Sequence, residues 1–242
     1  MISWYCKNEI WQTVWKNCLF LFSRYLLSQI SDYFYTFPME YDPKRNPLIE
    51  TFLATNEQIN LSAVRDYDGV YVKHILDSIE LQKVIDLTIL NENAKSKEWL
   101  FKVADIGTGG GFPLLPLAIL YPEVDFVWID SVRKKLQAIS DMTNTLNIKN
   151  VRLERKRIEE VKEKFDVITA RAVAHVDKLI PRVHTLLKPA SLLILYKEYK
   201  PDERNDMIKI LTQYGLTLTN EHRYSLFEGD FSRVIYTIHK VL

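Results

Sequence analysis

The chain has 242 residues, 47% of them apolar, and a formal net charge of +1. That length and composition support one substantial α/β domain with a small extension, and the near-zero charge gives no overall pull toward nucleic acid, membrane or acidic substrates. Cys6 and Cys18 are the only cysteines and lack metal or redox spacing, so a reduced, cytosolic compartment fits.

Residues 1–37 are dense in aromatics, and Trp4, Trp11, Trp15, Cys18, Phe22, Leu26 and Gln29 recur at helical spacing. Lys16 and Arg24 interrupt the apolar run, so no window reaches a membrane span, and no signal peptide is legible. The expectation is a helix that packs on the domain or on a partner, with a membrane-surface helix the weaker alternative. The composition break at Phe37-Pro38-Met39 also raises Met39 as an alternative start. Pro38, Pro43 and Pro47 mark a linker, so residues 1–47 are set apart as extension and linker.

Residues 48–100 read as a helical cap. It has a helix over 48–58, a loop from Asn60 to Asp66, a second helix over about 70–86 and a polar connector over 88–100. From 101 to 242 strand and helix patterns alternate. Strands are predicted at 101–106, 124–129, 150–154, 165–169 and 191–196, and helices near 113–121, 131–146, 175–187 and 202–214. This is the pattern of a doubly wound parallel α/β sheet. Two last strands, about 216–225 and 232–240, read as a hairpin that adds an antiparallel edge, for seven strands in all.

Four of the seven glycines fall at 107, 109, 110 and 111, between the first of these strands and a helix that begins near Pro113. Such a turn lets backbone approach a ligand closely, and the helix start favours an anionic group. A dinucleotide fingerprint needs glycine at 112, where Phe112 stands. The remaining pattern, Asp105-x-Gly-x-Gly-x-Gly111, looks like the cofactor turn of S-adenosylmethionine-dependent methyltransferases. Asp130 ends the second strand, where an acidic residue holds a ribose hydroxyl in such folds. The turn and strand end therefore give Asp105, Gly107, Thr108, Gly109, Gly111, Asp130 and Ser131 as candidate cofactor residues.

Five segments carry a more specific likeness: Asn60-Leu-Ser-Ala-Val-Arg-Asp, His74-Ile-Leu-Asp-Ser, Asp105 to Pro113, Ile129-Asp-Ser-Val-Arg-Lys-Lys and Phe165-Asp-Val-Ile-Thr-Ala-Arg-Ala. In this order the chain, from about residue 48 onward, resembles the bacterial RsmG/GidB family of ribosomal RNA small-subunit methyltransferases. The resemblance implies the Rossmann-like S-adenosylmethionine-dependent methyltransferase fold. It further implies methylation of N7 of a guanine in 16S ribosomal RNA, with the small ribosomal subunit as partner. It implies that Gly107 and Phe112 line the cofactor site, that Asp130 meets the ribose and that Ile158 and Glu159 flank the adenine. Arg171 would then sit at the mouth as a further cofactor-binding residue, and Lys197 falls where the family has a lysine after the fifth strand. Leu114, Ala190, Glu198 and Thr55 depart from the family pattern, and Glu198 adds a charge near the presumed substrate mouth.

The residues fit such a reaction. Guanine N7 carries a lone pair in the neutral base, so no general base is needed and alignment supplies the catalysis. Attack on pyrimidine C5 needs a cysteine nucleophile, and both cysteines lie in the N-terminal extension. No ligand cluster for a metal is present. Arg171 and Lys197 follow strand ends and are the catalytic-mouth candidates, and Arg65, His74, Arg133, Lys134 and Lys197 are the substrate-side candidates. Residues 149–164 hold seven Lys/Arg against four Glu, placed to contact phosphate or to form a solvated face. A methyltransferase for another RNA or a small molecule, and a non-catalytic module that binds S-adenosylmethionine, remain the alternatives.

Overall fold

The computed structural model describes residues 46–226 and 232–240. The aromatic N-terminal stripe, Met39 and the prolines at 38 and 43 lie outside the described residues. Helix α1 (Pro47–Ile59) opens where the Asn46 side chain accepts hydrogen bonds from the Leu48 and Ile49 amides, and it stops at Asn60 in the left-handed conformation. Pro47 is thus the first residue of a helix rather than part of a linker, because its missing N–H has no partner to lose there. Helix α2 (67–83) is capped by Asp66 and contains a widened π-turn, Tyr71–Leu76. Helix α3 (Leu87–Lys95) replaces the expected polar connector. Asp86 caps it, and it buries only Leu87 and Asn91, so its one-residue-per-turn apolar signal is hidden in polar sequence.

The strands are β1 (Lys102–Ile106), β2 (Asp125–Asp130), β3 (Val151–Arg155), β4 (Phe165–Arg171), β5 (Leu187–Glu198), β6 (Leu216–Ser225) and β7 (Ser232–Lys240). They form one sheet in the order β3-β2-β1-β4-β5-β7-β6. The first five run parallel, while β7 pairs antiparallel with both β5 and β6. The crossovers carry helices α4 (Leu114–Leu120), α5 (Arg133–Thr145), α6 (Val176–Val183) and α7 (Pro201–Gln213). Strand side chains alternate between two cores, as the two-residue period requires. Val103, Phe126, Trp128 and Val167 join Leu48, Phe52 and Ile75 on one face. Ala104, Val127, Ile129 and Ile168 meet Leu179, Ile180, Met207 and Leu211 on the other. Strand order reverses direction on either side of β1, so the C-terminal ends of β1 and β4 form the crevice in which open α/β sheets bind ligands.

At the opposite end of the sheet one carboxylate ties three elements together. Asp166 accepts from Trp99 Nε1 at 2.9 Å, from the Lys102 amide at 2.9 Å and from Lys188 Nζ at 2.7 Å. Asp166→Ala leaves a strand amide and an indole N–H without their acceptor, and the expected loss is about 2 kcal/mol of unfolding free energy. Urea denaturation followed by circular dichroism measures it, and a loss below about 0.5 kcal/mol would contradict this role.

Candidate active site

The glycine turn is held by the strands beside it. The Gly107 amide donates to Ile129 O at 2.8 Å. The Asp130 carboxylate accepts from the Gly109 amide at 3.2 Å and from the Val132 amide at 2.8 Å, so one side chain fixes both the turn and the entry to α5. Gly107 has φ +69, and a Cβ there would lie 2.9 Å from Val173 Cγ1, so only glycine fits. At Gly109 the space a Cβ would fill is open except for Gly107 O at 3.7 Å, which leaves backbone accessible to a ligand. Ser131 is exposed beside Asp130.

Three of the expected cofactor side chains turn inward. Asp105 is buried and accepts hydrogen bonds from Thr108 Oγ1 at 2.5 Å and Thr169 Oγ1 at 2.6 Å. Burial pushes its carboxyl up to about 7, against the pull of the two hydroxyl donors. The ring of Phe112 packs edge-on to Phe52 at 5.0 Å and stacks on His74 at 4.7 Å. Asp105, Thr108 and Phe112 therefore brace the turn from beneath, because their side chains are committed to the core. At the start of α4 the Leu115 amide is taken up internally, donating to Gly111 O at 2.7 Å.

Beneath the neighbouring strand ends lies a buried polar network. Asp77, fully buried, accepts from Arg233 Nε at 3.0 Å and Nη2 at 2.9 Å and from Tyr224 Oη at 2.6 Å. Arg171 Nη1 lies 3.1 Å from the same carboxylate. Arg171 Nη2 donates to Lys73 O at 3.1 Å and to His74 Nδ1 at 2.7 Å. His74 Nδ1 lies within hydrogen-bond reach of both the Arg171 guanidinium and, at 3.0 Å, the Lys73 carbonyl, while Nε2 faces Ser62 Oγ at 2.8 Å. Ser62 is fixed in turn by Asn56, whose side chain accepts from the Ser62 amide and donates to Ser62 O and Val64 O. Burial, with Arg171 alongside, lowers the His74 pKa to about 4.

Above this network opens a cavity of about 460 Å³ at the C-terminal ends of β4 and β5. His74, Arg171 and Lys197 all line it, together with Tyr196, Glu198 and Arg233. Arg65 does not reach it; that side chain is held by Asn60 Oδ1 at 2.6 Å. Arg133 and Lys134 are exposed at the start of α5, on the rim above β2 rather than in the cavity. Ile158 and Glu159 sit on a short turn after β3, where Ile158 packs on the second core and Glu159 pairs with Arg182 Nε at 2.9 Å. Arg233 was not legible as a site residue: it meets Asp77 across 156 positions of sequence, and no local pattern marks such a contact. Among the described residues no cluster of three His, Cys, Asp or Glu is placed to hold a metal, and no helix is long and apolar enough to cross a membrane.

The His74 geometry carries a pH dependence. A histidine whose folded pKa is depressed takes up a proton more readily when unfolded, so stability is lost as pH falls from about 6.5 toward 4. The wild-type stability advantage over His74→Gln is expected to shrink by roughly 3 kcal/mol across that window and to stay constant above it. Denaturant titrations at several pH values read this difference, and a difference independent of pH would contradict the neutral, buried assignment.

Comparison with known proteins places this site in a lineage. Residues 43–220 match the model of the family described as GidB, rRNA small subunit methyltransferase G. A ribosomal RNA small subunit methyltransferase G from Lysinibacillus sphaericus is 30% identical over 199 residues, 79% of each chain. One from Flavobacterium johnsoniae is 40% identical over 133 residues, 55% of this chain and 59% of that protein. Among solved structures, NSun6 from Pyrococcus horikoshii, determined with SFG, superposes with a TM-score of 0.51 at 15% identity, over 58% of this chain and 48% of its own, a likeness of fold alone. The match over most of the chain, with its segments gathered around one turn and one cavity, shows that this protein belongs to the rRNA small subunit methyltransferase G family.

Proposed function

We propose that the protein transfers the methyl group of S-adenosylmethionine to N7 of a guanine in 16S ribosomal RNA. The observation that carries this reading is the arrangement of one sheet edge. The Asp130-held glycine turn stands at the ends of β1 and β2, and the cavity lined by His74, Arg171 and Lys197 stands at the ends of β4 and β5. Donor and acceptor sites thus face a common crevice, on the side of the sheet that α/β enzymes use.

The residues present fit the donor. The Gly109 backbone is open to a ligand, and each Asp130 oxygen accepts only one hydrogen bond, which leaves lone pairs for a pair of ribose hydroxyls. Ile158 would offer an apolar surface to the adenine, and Arg171 a positive charge at the cavity floor. When bound, S-adenosylmethionine supplies an electrophilic methyl group that a lone pair can take without prior deprotonation. His74 is consistent with that chemistry: its ring nitrogens are engaged by Arg171, the Lys73 carbonyl and Ser62, so it braces the site rather than removing a proton. The protein's task is then alignment of two ligands, an effect worth up to about 7–11 kcal/mol in favourable cases. Arg133 and Lys134, exposed on the rim above β2, are suited to phosphates of the RNA.

Tritiated S-adenosylmethionine incubated with naked 16S rRNA and with small subunits tests the reading. The expected result is label in 16S rRNA at a guanine that becomes susceptible to strand cleavage by borohydride and aniline, the reaction of an N7-methylated base. Label confined to another RNA, or at a base that resists this cleavage, would overturn it.

A further inference from the structure

The two rims of the crevice carry charge differently. Above β2 and β3, Arg133, Lys134 and Arg155 are exposed and form no ion pair among the described residues. Around the end of β5 the cations are paired: Lys200 with Glu198 at 2.9 Å, Arg204 and Arg223 both with Glu221, and Lys197 with Glu203. The last pair is unlike the others. Lys197 lines the cavity, whereas Glu203 does not. The lysine is drawn toward the first turn of α7 by a carboxylate that lies outside the space a substrate would fill.

Glu203 does not depend on Lys197 alone. It sits in the first turn of a thirteen-residue helix, where a negative charge is favoured by the helix dipole. His175 Nε2 approaches the same oxygen at 3.7 Å. Both partners keep some contact with water, at 19% and 17% side-chain exposure. A carboxylate with a second source of stabilisation can release its lysine without being stranded.

We propose that Glu203 is a positioning residue: it holds Lys197 at the cavity rim in the RNA-free protein, and a phosphate of the RNA substrate takes Lys197 from it on docking. The assignment rests on the functional reading above and adds a consequence that reading lacks. Glu203 competes with the substrate backbone, so it weakens RNA binding and lowers the number of counterions released.

Fluorescence anisotropy of a labelled 16S rRNA fragment, titrated with the full chain at several salt concentrations, tests this. Glu203→Gln is expected to tighten binding about three- to tenfold at moderate salt. It is also expected to steepen the log–log salt slope by about 0.7, one added phosphate contact on single-stranded RNA. Glu203→Ala, a second charge-removing variant, should do the same. Glu221→Gln, on the same rim but away from the cavity, should leave affinity where it is, and in a Lys197→Met background Glu203→Gln should have no effect. Weaker or unchanged binding by both Glu203 variants, while the wild type binds and methylates RNA, would overturn the proposal. Absence of methyl transfer to RNA by the wild type, measured in parallel, would overturn the functional reading and this proposal with it.

Discussion

One buried carboxylate holds the site together. Asp77, at the end of the π-turn in α2, receives two guanidiniums and a phenol, from β4, β7 and β6. Burying an ion pair is favourable only when the remaining donors and acceptors are satisfied, and here one buried nitrogen, Arg171 Nη1, meets the carboxylate at 3.1 Å as an ion pair without a well-formed hydrogen bond. Arg233 binds in a two-pronged fashion, Tyr224 donates to the oxygen that Arg233 Nε also reaches, and Arg171 faces the carboxylate with Nη1 while Nη2 serves His74 and the Lys73 carbonyl. Two cations against one anion leave a positive residue of charge directly under the cavity, a floor suited to anionic ligand groups.

The same network ties the helices before the sheet to the candidate site. Ser62 and His74 lie on the loop and helix that precede β1, yet both lead to Arg171 on β4. Phe112, from the glycine turn, stacks on His74, so the turn and the helical segment share a ring contact as well as a hydrogen-bond chain. A shift of α2 would disturb both ligand-binding edges at once. The widened turn over Tyr71–Leu76 is consistent with that demand, since π-turns often re-aim side chains at functional sites.

Much of the fold was legible because the sheet imposes a short, regular period. All seven strands fall where apolar runs and alternation put them, and the Glu228-Gly229-Asp230 loop that joins the last two lies outside the described residues. Local chemistry also revealed the turn and Asp130, because glycine density and an acidic strand end are sequence-local signals. What escaped was long-range or concealed by composition. Helix α3 buries two residues only, and Asn91 spends its amide on Glu123 O at 2.8 Å, a contact no periodicity encodes. The inward turn of Asp105, Thr108 and Phe112 depends on Thr169, Phe52 and His74, none of them near in sequence. Arg171 was legible as a candidate from its place at a strand end, but its partner Asp77 stands 94 positions earlier on another element. Ala190, which departs from the family's glycine, takes up φ 59 before the central part of β5, the conformation that glycine adopts at least cost.

If Asp77 assembles the cavity, its coupling to Arg171 must be large. A double-mutant cycle of Asp77→Asn and Arg171→Gln, read as unfolding free energy in urea, measures it directly. Each single substitution is expected to cost about 3 kcal/mol, because it strands a buried charge or its donors. The double variant should cost at least 1 kcal/mol less than the sum. Additive losses, within about 0.5 kcal/mol, would show that the two residues act independently and would contradict the account.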